Sequence, residues 1–349
     1  MEATLNVKLM ARRLASRRVF VFYVLGALTL ALLAINLGVG SLSYSLNEII
    51  HVLTHPNEKS QLATIIFKVR LPRTLAAAMG GAYLAASGLL LQVYFRNPIV
   101  GPYILGVSSG ATLMVSLVML TPLGFRLTHA TPFLTTIAGC LGAYGVTILV
   151  VALAAKVRSG ATLLIVGLMM GYLCGSATSI LTALAEKEKI KGFVLWGMGS
   201  FSGFKQVEIL ILAVFGGSLV LAIYLLSKPL NAFLLGEDYA ASMGVNIRRF
   251  RLFILAAASS LAGLVTAMAG PVAFIGLAVP HMARLSFGTA DNRILVPGAC
   301  LMGALVVSLC DLIARMWLNP VELPISAITA FFGAPIVIGL LLKKGARFG

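Results

Sequence analysis

The sequence predicts an all-α protein that crosses a lipid bilayer many times, as a single transmembrane domain covering residues 1–349. The chain is 59% hydrophobic and only 11% charged, whereas a soluble chain of this length carries about 25% charged residues. Apolar runs of about 20 residues, the length that crosses a bilayer, recur from one end to the other. The net charge of +16 fits the basic excess of cytoplasmic loops, and because aromatic and basic residues do not interleave, it does not indicate nucleic-acid binding.

Ten apolar runs, each a predicted transmembrane helix, divide the sequence. In chain order they cover residues 19–37, 74–95, 99–120, 132–154, 161–184, 207–226, 250–269, 272–287, 294–317 and 325–342. Joints rich in Gly and Pro at residues 96–102 and 270–280 predict that some of these helices are short or broken.

The distribution of basic residues predicts the orientation of the chain. If the N-terminus is cytoplasmic, most of the 27 Lys and Arg residues fall on the cytoplasmic side, as the positive-inside rule requires. Residues 1–18 then form a basic cytoplasmic tail, and the C-terminus is cytoplasmic as well.

A polar island at residues 235–251 interrupts the apolar runs and lies on the same cytoplasmic side. It carries two carboxylates and three arginines, and each charge would cost about 2.5–3.5 kcal/mol at the centre of a bilayer. The island is therefore predicted to be a loop in which residues 239–243 form a short helix with a small apolar face. A docking element and a plain solvated connector are equally good interpretations of this pattern alone.

Three arginines depart from the positive-inside rule. Arg70 and Arg73 stand at the predicted outer start of the second helix, and Arg315 stands at the outer end of the ninth. Guanidinium groups on rigid helix ends are suited to bidentate pairing with the carboxylates of a partner protein. The alternatives are that they reach lipid headgroups, or that Arg315 pairs with Asp311 or Glu322.

Several classes of chemistry are not indicated. The sequence has no Gly-Lys dipeptide and hence no Walker A motif, so it predicts a protein that is not an enzyme. No chain of carboxylates lies near the middle of the predicted helices, which counts against a carrier driven by protons or sodium. His51, His55 and His129 are interpreted as loop residues, and no catalytic, cofactor or metal site is predicted.

Five sequence blocks in one order resemble a known family. They are RLPRTLAA (70–77), FRNPIVGPYILGVSSGA (95–111), the polar island LGEDYAASMGVNIRRFR (235–251), GPVAFIGLAVPHMAR (270–284) and ELPISAITAFFGAPIVIGLLLK (322–343). Together they resemble the FecCD-type permeases, the membrane subunits of type II ABC importers for iron siderophores, haem and cobalamin. The resemblance implies about ten transmembrane helices per subunit, like a cobalamin-importer permease, and a homodimer around a central pathway.

The resemblance also implies roles for individual residues. The polar island matches the coupling helices that contact the ATPase, and its candidate residues are Gly236, Glu237, Asp238, Ala241, Gly244 and Arg248. The residues that match the outer arginines facing the binding protein are Arg70, Arg73 and Arg315. The region of the cytoplasmic gate corresponds to Ser159, Gly160, Ala161 and Thr162.

The translocation pathway is predicted to be lined by neutral, small and apolar side chains, because a bulky cargo must leave as readily as it enters. Candidates on the fifth and tenth predicted helices are Met169, Met170, Leu173, Ser326, Thr329 and Phe332.

The predicted function is therefore that of the permease subunit of an ATP-driven, binding-protein-dependent importer in the inner membrane of a bacterium. An iron chelate, ferric siderophore or haem, is the first candidate cargo, and cobalamin or an oxyanion is the alternative. The implied partners are a second copy, two subunits that bind ATP and Mg, a periplasmic or lipid-anchored binding protein, and the lipid bilayer, with no nucleic acid. A secondary carrier or a membrane scaffold is the rival of a different class.

Overall fold

The computed structural model describes residues 2–40, 46–55, 60–103, 105–122, 131–154, 160–318 and 321–345. Within these ranges the regular secondary structure is helical, and no strand is present beyond one isolated bridge between Leu318 and Val321. The all-α prediction is confirmed.

Sixteen α-helices follow one another in the described ranges. They are α1 Glu2–Gly38, α2 Leu46–Thr54, α3 Gln61–Ile65, α4 Leu71–Tyr94, α5 Val107–Leu120, α6 Thr131–Ala154, α7 Gly160–Leu184, α8 Lys187–Gly197, α9 Gln206–Ile211, α10 Gly217–Leu225, α11 Ser227–Leu235, α12 Glu237–Ser242, α13 Ile247–Ala269, α14 Ile275–Phe287, α15 Asn292–Met316 and α16 Ile325–Gly345. Two π-helical turns, Ile66–Arg70 and Leu212–Gly216, make α3–α4 and α9–α10 continuous.

Six helical stretches in the described residues are long and apolar enough to cross a membrane, and three shorter apolar helices accompany them. The prediction of a multi-pass membrane protein is thereby supported. Helix α14 has 13 residues and a length of about 20 Å, which is shorter than a hydrocarbon core of about 30 Å. The count of ten spans and the side on which the termini lie stay predictions.

Helix boundaries differ from the predicted runs at several helix starts, and the run predicted from residue 74 belongs to a continuous helical stretch that begins at Gln61. The predicted basic tail is continuous with the first span, because α1 begins at Glu2. The run predicted from residue 99 becomes helical only at Val107, after turns that end at Gly106 with a φ of 72°. The run predicted from residue 272 becomes helical at Ile275, because Gly270 and Phe274 both have positive φ.

Helix α4 lies at the centre of the bundle and packs antiparallel to α15. Gly81 and Gly303 face each other there, and a Cβ atom on either would come within 2.3 Å of the other's carbonyl oxygen. Gly88 meets the backbone of Gly276 on α14 in the same way. Small residues at helix contacts let the backbones approach closely, as is common in membrane bundles.

The two ends of α4 separate two polar regions of the molecule. Arg73 lies in its first turn. Tyr94, its last residue, stacks on Phe233 of α11, the helix that directly precedes α12. At 1.5 Å per residue, Arg73 and Tyr94 are about 32 Å apart, which matches the thickness of a hydrocarbon core. We refer to the end with Arg70, Arg73 and Arg315 as the arginine end and to the other as the α12 end.

Candidate functional site

Arg73 is held by two carboxylates at the arginine end. Its Nε and Nη2 atoms donate to the carboxylate of Asp311 at 3.0–3.1 Å, and its Nη1 atom donates to Oε1 of Glu322 at 2.7 Å. The side chain of Asp311 is 2% exposed, whereas that of Glu322 is 46% exposed. Because a buried charge is stable only when it is matched and hydrogen-bonded, the Arg73–Asp311 pair fixes the start of α4 to the end of α15.

Arg70 and Arg315 bind the carbonyl end of α1. Arg70 Nη1 donates to the carbonyl oxygens of Leu37 and Gly38, each at 2.8 Å. Arg315 Nη2 donates to the carbonyl oxygen of Asn36 at 2.9 Å and also to its side-chain oxygen. The last carbonyl groups of a helix lack intrahelical donors and favour a nearby cation, so these arginines join α1 to α4 and α15.

The structure corrects one alternative drawn from the sequence. Among the described residues, Asp311 and Glu322 bond to Arg73, not to Arg315. The reason is that Arg73 faces Asp311 across the α4–α15 contact, although the two residues are 238 positions apart. The docking role of Arg70, Arg73 and Arg315 stays a prediction, and it concerns side chains that already have internal partners.

Helix α12 at the opposite end is a compact, protruding element. It begins after Gly236, whose φ of 145° favours glycine. It ends at Ser242, and Gly244, two residues later, has a φ of 84°. The N–H groups of Gly244 and Val245 bond back to Ala241 and Ala240 at 2.9 and 3.0 Å, which is a Schellman C-cap. The predicted short helix at residues 239–243 is therefore present and begins two residues earlier, at Glu237.

The surface around α12 combines apolar and charged groups. Leu235, Tyr239 and Met243 are exposed large apolar side chains, and Asp238, Ala241 and Arg248 are also exposed. Glu237 and Arg251 form an ion pair of 2.5 Å that ties α12 to the first turns of α13. The predicted loop 235–251 is thus a short helix and a turn, and its last residues belong to α13.

The candidate gate lies at the start of α7. Gly160, Ala161 and Thr162 form the first turn of this helix, and Thr162 is half-buried. Ser159 lies outside the described residues. Gly160, Ala161 and Thr162 are therefore part of a helix N-terminus.

Some of the candidate pathway residues are exposed, and others form hydrogen bonds within the protein. Met169 and Leu173 on α7 are exposed, as is Phe332 on α16, and Met170 is half-buried. The Ser326 hydroxyl donates to the carbonyl oxygens of Met198 and Pro271 at 2.9 and 2.6 Å, and Thr329 donates to Ser326 at 3.1 Å. The Ser326 hydroxyl holds the start of α16 in place, whereas the Thr329 hydroxyl bonds within its own helix.

An apolar cavity of about 240 Å³ lies between α14, α15 and α16. Thr329 and Phe332 line it, together with Phe274, Ala278 and Cys310. The start of α16 is held by hydrogen bonds, whereas its middle borders this space.

Two polar contacts of the site were missed from the sequence. Asn36, near the end of α1, is 1% exposed and accepts from Arg315 while donating to the Leu32 carbonyl at 2.9 Å. Gln92 on α4 accepts from Arg284 of α14 and donates to the carbonyl of Leu277 at 3.1 Å. The only available signal was a lone amide side chain near the end of each apolar run.

Comparison with known proteins identifies the family. The model of the FecCD transport family matches residues 28–343. The chain belongs to the FecCD transport family. This FecCD protein is 34% identical to the hemin transport system permease HmuU of Yersinia pestis over 95% of its own length and 97% of the relative. It is 37% identical to the vitamin B12 import system permease BtuC of Shigella sonnei over 80% of its length and 84% of the relative.

Solved structures agree with this assignment. An inward-facing conformation of a metal-chelate type ABC transporter aligns with the FecCD protein at a TM-score of 0.80 and 31% identity, covering 92% of this chain and 98% of the other. PsaBC from Streptococcus pneumoniae, at 13% identity and a TM-score of 0.57, shares the fold. The FecCD protein is therefore a multi-pass permease subunit of a type II ABC importer.

Proposed function

We propose that this permease carries an iron chelate, ferric siderophore or haem, across the inner membrane of a bacterium as a homodimer. The observation that carries the proposal is its similarity to a hemin permease over nearly the full length of both chains. The likeness to a metal-chelate type transporter at a TM-score of 0.80 supports the same class of cargo.

The exposed apolar faces of α7 and α16 support pairing with a second copy. Only 11% of the most apolar part of α7 is buried within one chain, compared with 78% for α4 and α13. A second copy that covers α7 and α16 would place Met169, Leu173 and Phe332 around a shared pathway. Such a lining is neutral, so it would offer a cargo no fixed charge to trap it.

The α12 surface would transmit ATP-driven movement. An exposed patch of Tyr239 and Met243 beside charged groups suits a groove on a partner protein, since large exposed side chains anchor interfaces. The ion pair of Glu237 with Arg251 would pass a displacement of α12 to α13. ATP and Mg would bind to the partner ATPase.

The arginine end would receive the substrate-binding protein. Arg70, Arg73 and Arg315 concentrate guanidinium groups about 32 Å from the α12 end, where charge complementarity can steer an acidic partner. Delivery of cargo at this end, ATP binding at the other, and opening near Gly160–Thr162 would then make up one transport cycle.

The proposal is tested by uptake into liposomes that contain the permease and its ATPase subunits. Ferric siderophore, haem and cobalamin are offered separately, each with its own binding protein. We expect uptake of one iron chelate that requires ATP and is unaffected by collapse of the proton gradient. Uptake that follows the proton gradient would indicate a secondary carrier, and ATP hydrolysis without uptake of any cargo would favour a scaffold.

Cobalamin is the second candidate, because the chain is 37% identical to a vitamin B12 permease over 80% of its length. ATP-dependent uptake of cobalamin alone in the same assay would select this candidate.

A further inference from the structure

The two carboxylates that bind Arg73 differ in their access to water. Asp311 takes the Nε and Nη2 edge of the guanidinium and its side chain is 2% exposed. Glu322 takes only Nη1, through one oxygen at 2.7 Å, and its side chain is 46% exposed. Asp311 cannot leave without stranding a buried charge, whereas water can replace Arg73 as the partner of Glu322 at little cost.

We propose that Glu322 is an internal stand-in for an acidic side chain of the substrate-binding protein. When the binding protein docks, its carboxylate takes the Nη1 position on Arg73 and Glu322 is released. The inference rests on the proposed function, because it assumes that the binding protein docks at the arginine end. Arg73 keeps its bond to Asp311 throughout, so the docking surface stays rigid while one exposed partner is exchanged.

The position of Glu322 in the chain gives this exchange a consequence. Leu323 donates its N–H to the carbonyl of Ala314 at 2.8 Å, and Ile325 begins α16 with a bond to Gly199 at 3.3 Å. Besides these backbone bonds and those of the Ser326 hydroxyl, the bond of Glu322 to Arg73 attaches the connection between α15 and α16 to α4. Its release removes this one attachment while the others remain. The start of α16, the helix that carries Thr329 and Phe332 beside the cavity, then gains freedom on docking.

The test compares Glu322→Gln with Glu186→Gln in the assembled transporter in nanodiscs. Glu186 also forms an exposed ion pair, with Lys189 at 3.2 Å, so its variant controls for the loss of one exposed carboxylate. The probe is the binding protein that sustains uptake in the liposome assay, and its Kd is measured at low and high salt. We expect Glu322→Gln to bind it about 3- to 10-fold more tightly, because the internal competitor is gone, and Glu186→Gln to bind as the parent does.

A second readout uses the parent protein and does not depend on a folded variant. Hydrogen exchange at the amides of Leu323 and Ile325 is measured with and without the binding protein. We expect faster exchange on docking, whereas a purely structural Glu322 predicts equal or slower exchange.

Unchanged or weaker binding by Glu322→Gln, together with equal or slower hydrogen exchange of the parent on docking, would overturn the exchange mechanism and leave docking at the arginine end intact. If the parent binds the protein and binding is insensitive to Arg70→Gln, Arg315→Gln and salt, docking at this end is itself wrong, and the inference fails with it.

Discussion

The bundle formed by α4, α13 and α15 and the pair α7 and α16 have similar apolar compositions but opposite degrees of burial. In α4 and α13, 78% of the most apolar stretch is buried, compared with 11% in α7. In the first region, glycine-to-backbone contacts such as Gly81 on Gly303 remove free space. An apolar cavity of about 240 Å³ lies between α16 and helices α14 and α15. Hydrophobicity alone therefore does not distinguish a helix that is buried within one chain from a helix whose apolar face is exposed.

The largest loss of stability is expected from breaking the buried Arg73–Asp311 ion pair between α4 and α15. Asp311→Asn removes the buried charge beside Arg73, and we expect the free energy of unfolding to fall by about 3 kcal/mol, because the buried guanidinium keeps only the half-exposed Glu322 as an ionic partner. The midpoint of thermal unfolding in detergent measures this. Glu322→Gln is the matched control and should cost less than about 1 kcal/mol, since Glu322 is half in water. Equal losses would mean that both carboxylates act alike.

The next largest loss of stability is expected at the contact between Gly81 and Gly303. Gly81→Ala places a Cβ atom 2.2 Å from the Gly303 carbonyl oxygen, so we expect a loss of about 1–3 kcal/mol from forced separation of α4 and α15. At Gly145 on α6 an added Cβ meets no atom of the described residues within 4 Å. Gly145→Ala should therefore be neutral or slightly stabilising, and similar unfolding midpoints for the two variants would contradict the tight contact.

Enlarging a side chain should have opposite effects on the free energy of unfolding beside the cavity, at Ala278 of α14, and in the closely packed α4. Ala278 lines the cavity, and Ala278→Leu should raise the free energy of unfolding by about 1 kcal/mol by filling free space. Ala76 on α4 is 0% exposed, and Ala76→Leu should lower it, since no space is available. The comparison is read from unfolding midpoints, and a destabilised Ala278→Leu would show that the cavity is not free volume.

Changes on the exposed α12 surface should have the smallest effect on the free energy of unfolding, although they should weaken binding of the ATPase. Tyr239→Ala should change the free energy of unfolding by less than about 0.5 kcal/mol but weaken ATPase binding by about 10-fold, as expected for an aromatic anchor. Tyr224 on α10 is 46% exposed, compared with 48% for Tyr239, and Tyr224→Ala is the control. The two variants are compared by how much ATPase subunit stays bound during purification at rising salt. Equal retention would show that Tyr239 does not contribute to the interface.

Local patterns in the sequence predicted the helices and the α12 element well. Apolar runs gave the helical class, and five charges between two runs were sufficient to place a polar element at residues 235–251. Both signals lie within a few turns of chain, where composition and periodicity are informative.

Long-range pairing could not be predicted in the same way. The bond of Arg73 to Glu322 joins residues 249 positions apart, and nothing in the local sequence assigns Asp311 to Arg73 in preference to Arg315. The late starts of α5 and α14 also depend on backbone turns that an apolar pattern does not reveal. The pathway and gate residues stay predictions, because one chain cannot show which face a second copy covers.

The π-helical turn at Ile66–Arg70 has a consequence for how related chains can differ in length. It is closed by a bond from the Leu71 N–H to the Ile66 carbonyl, five residues back, so it holds one residue more than an α-helical turn. Deleting a single residue there would restore an ordinary helix and leave α4 undisturbed. The preceding α3, which continues into α4 through this turn, would rotate by about 100° around the helix axis. The loss of one codon at this turn is therefore enough to turn a different face of α3 toward its neighbours.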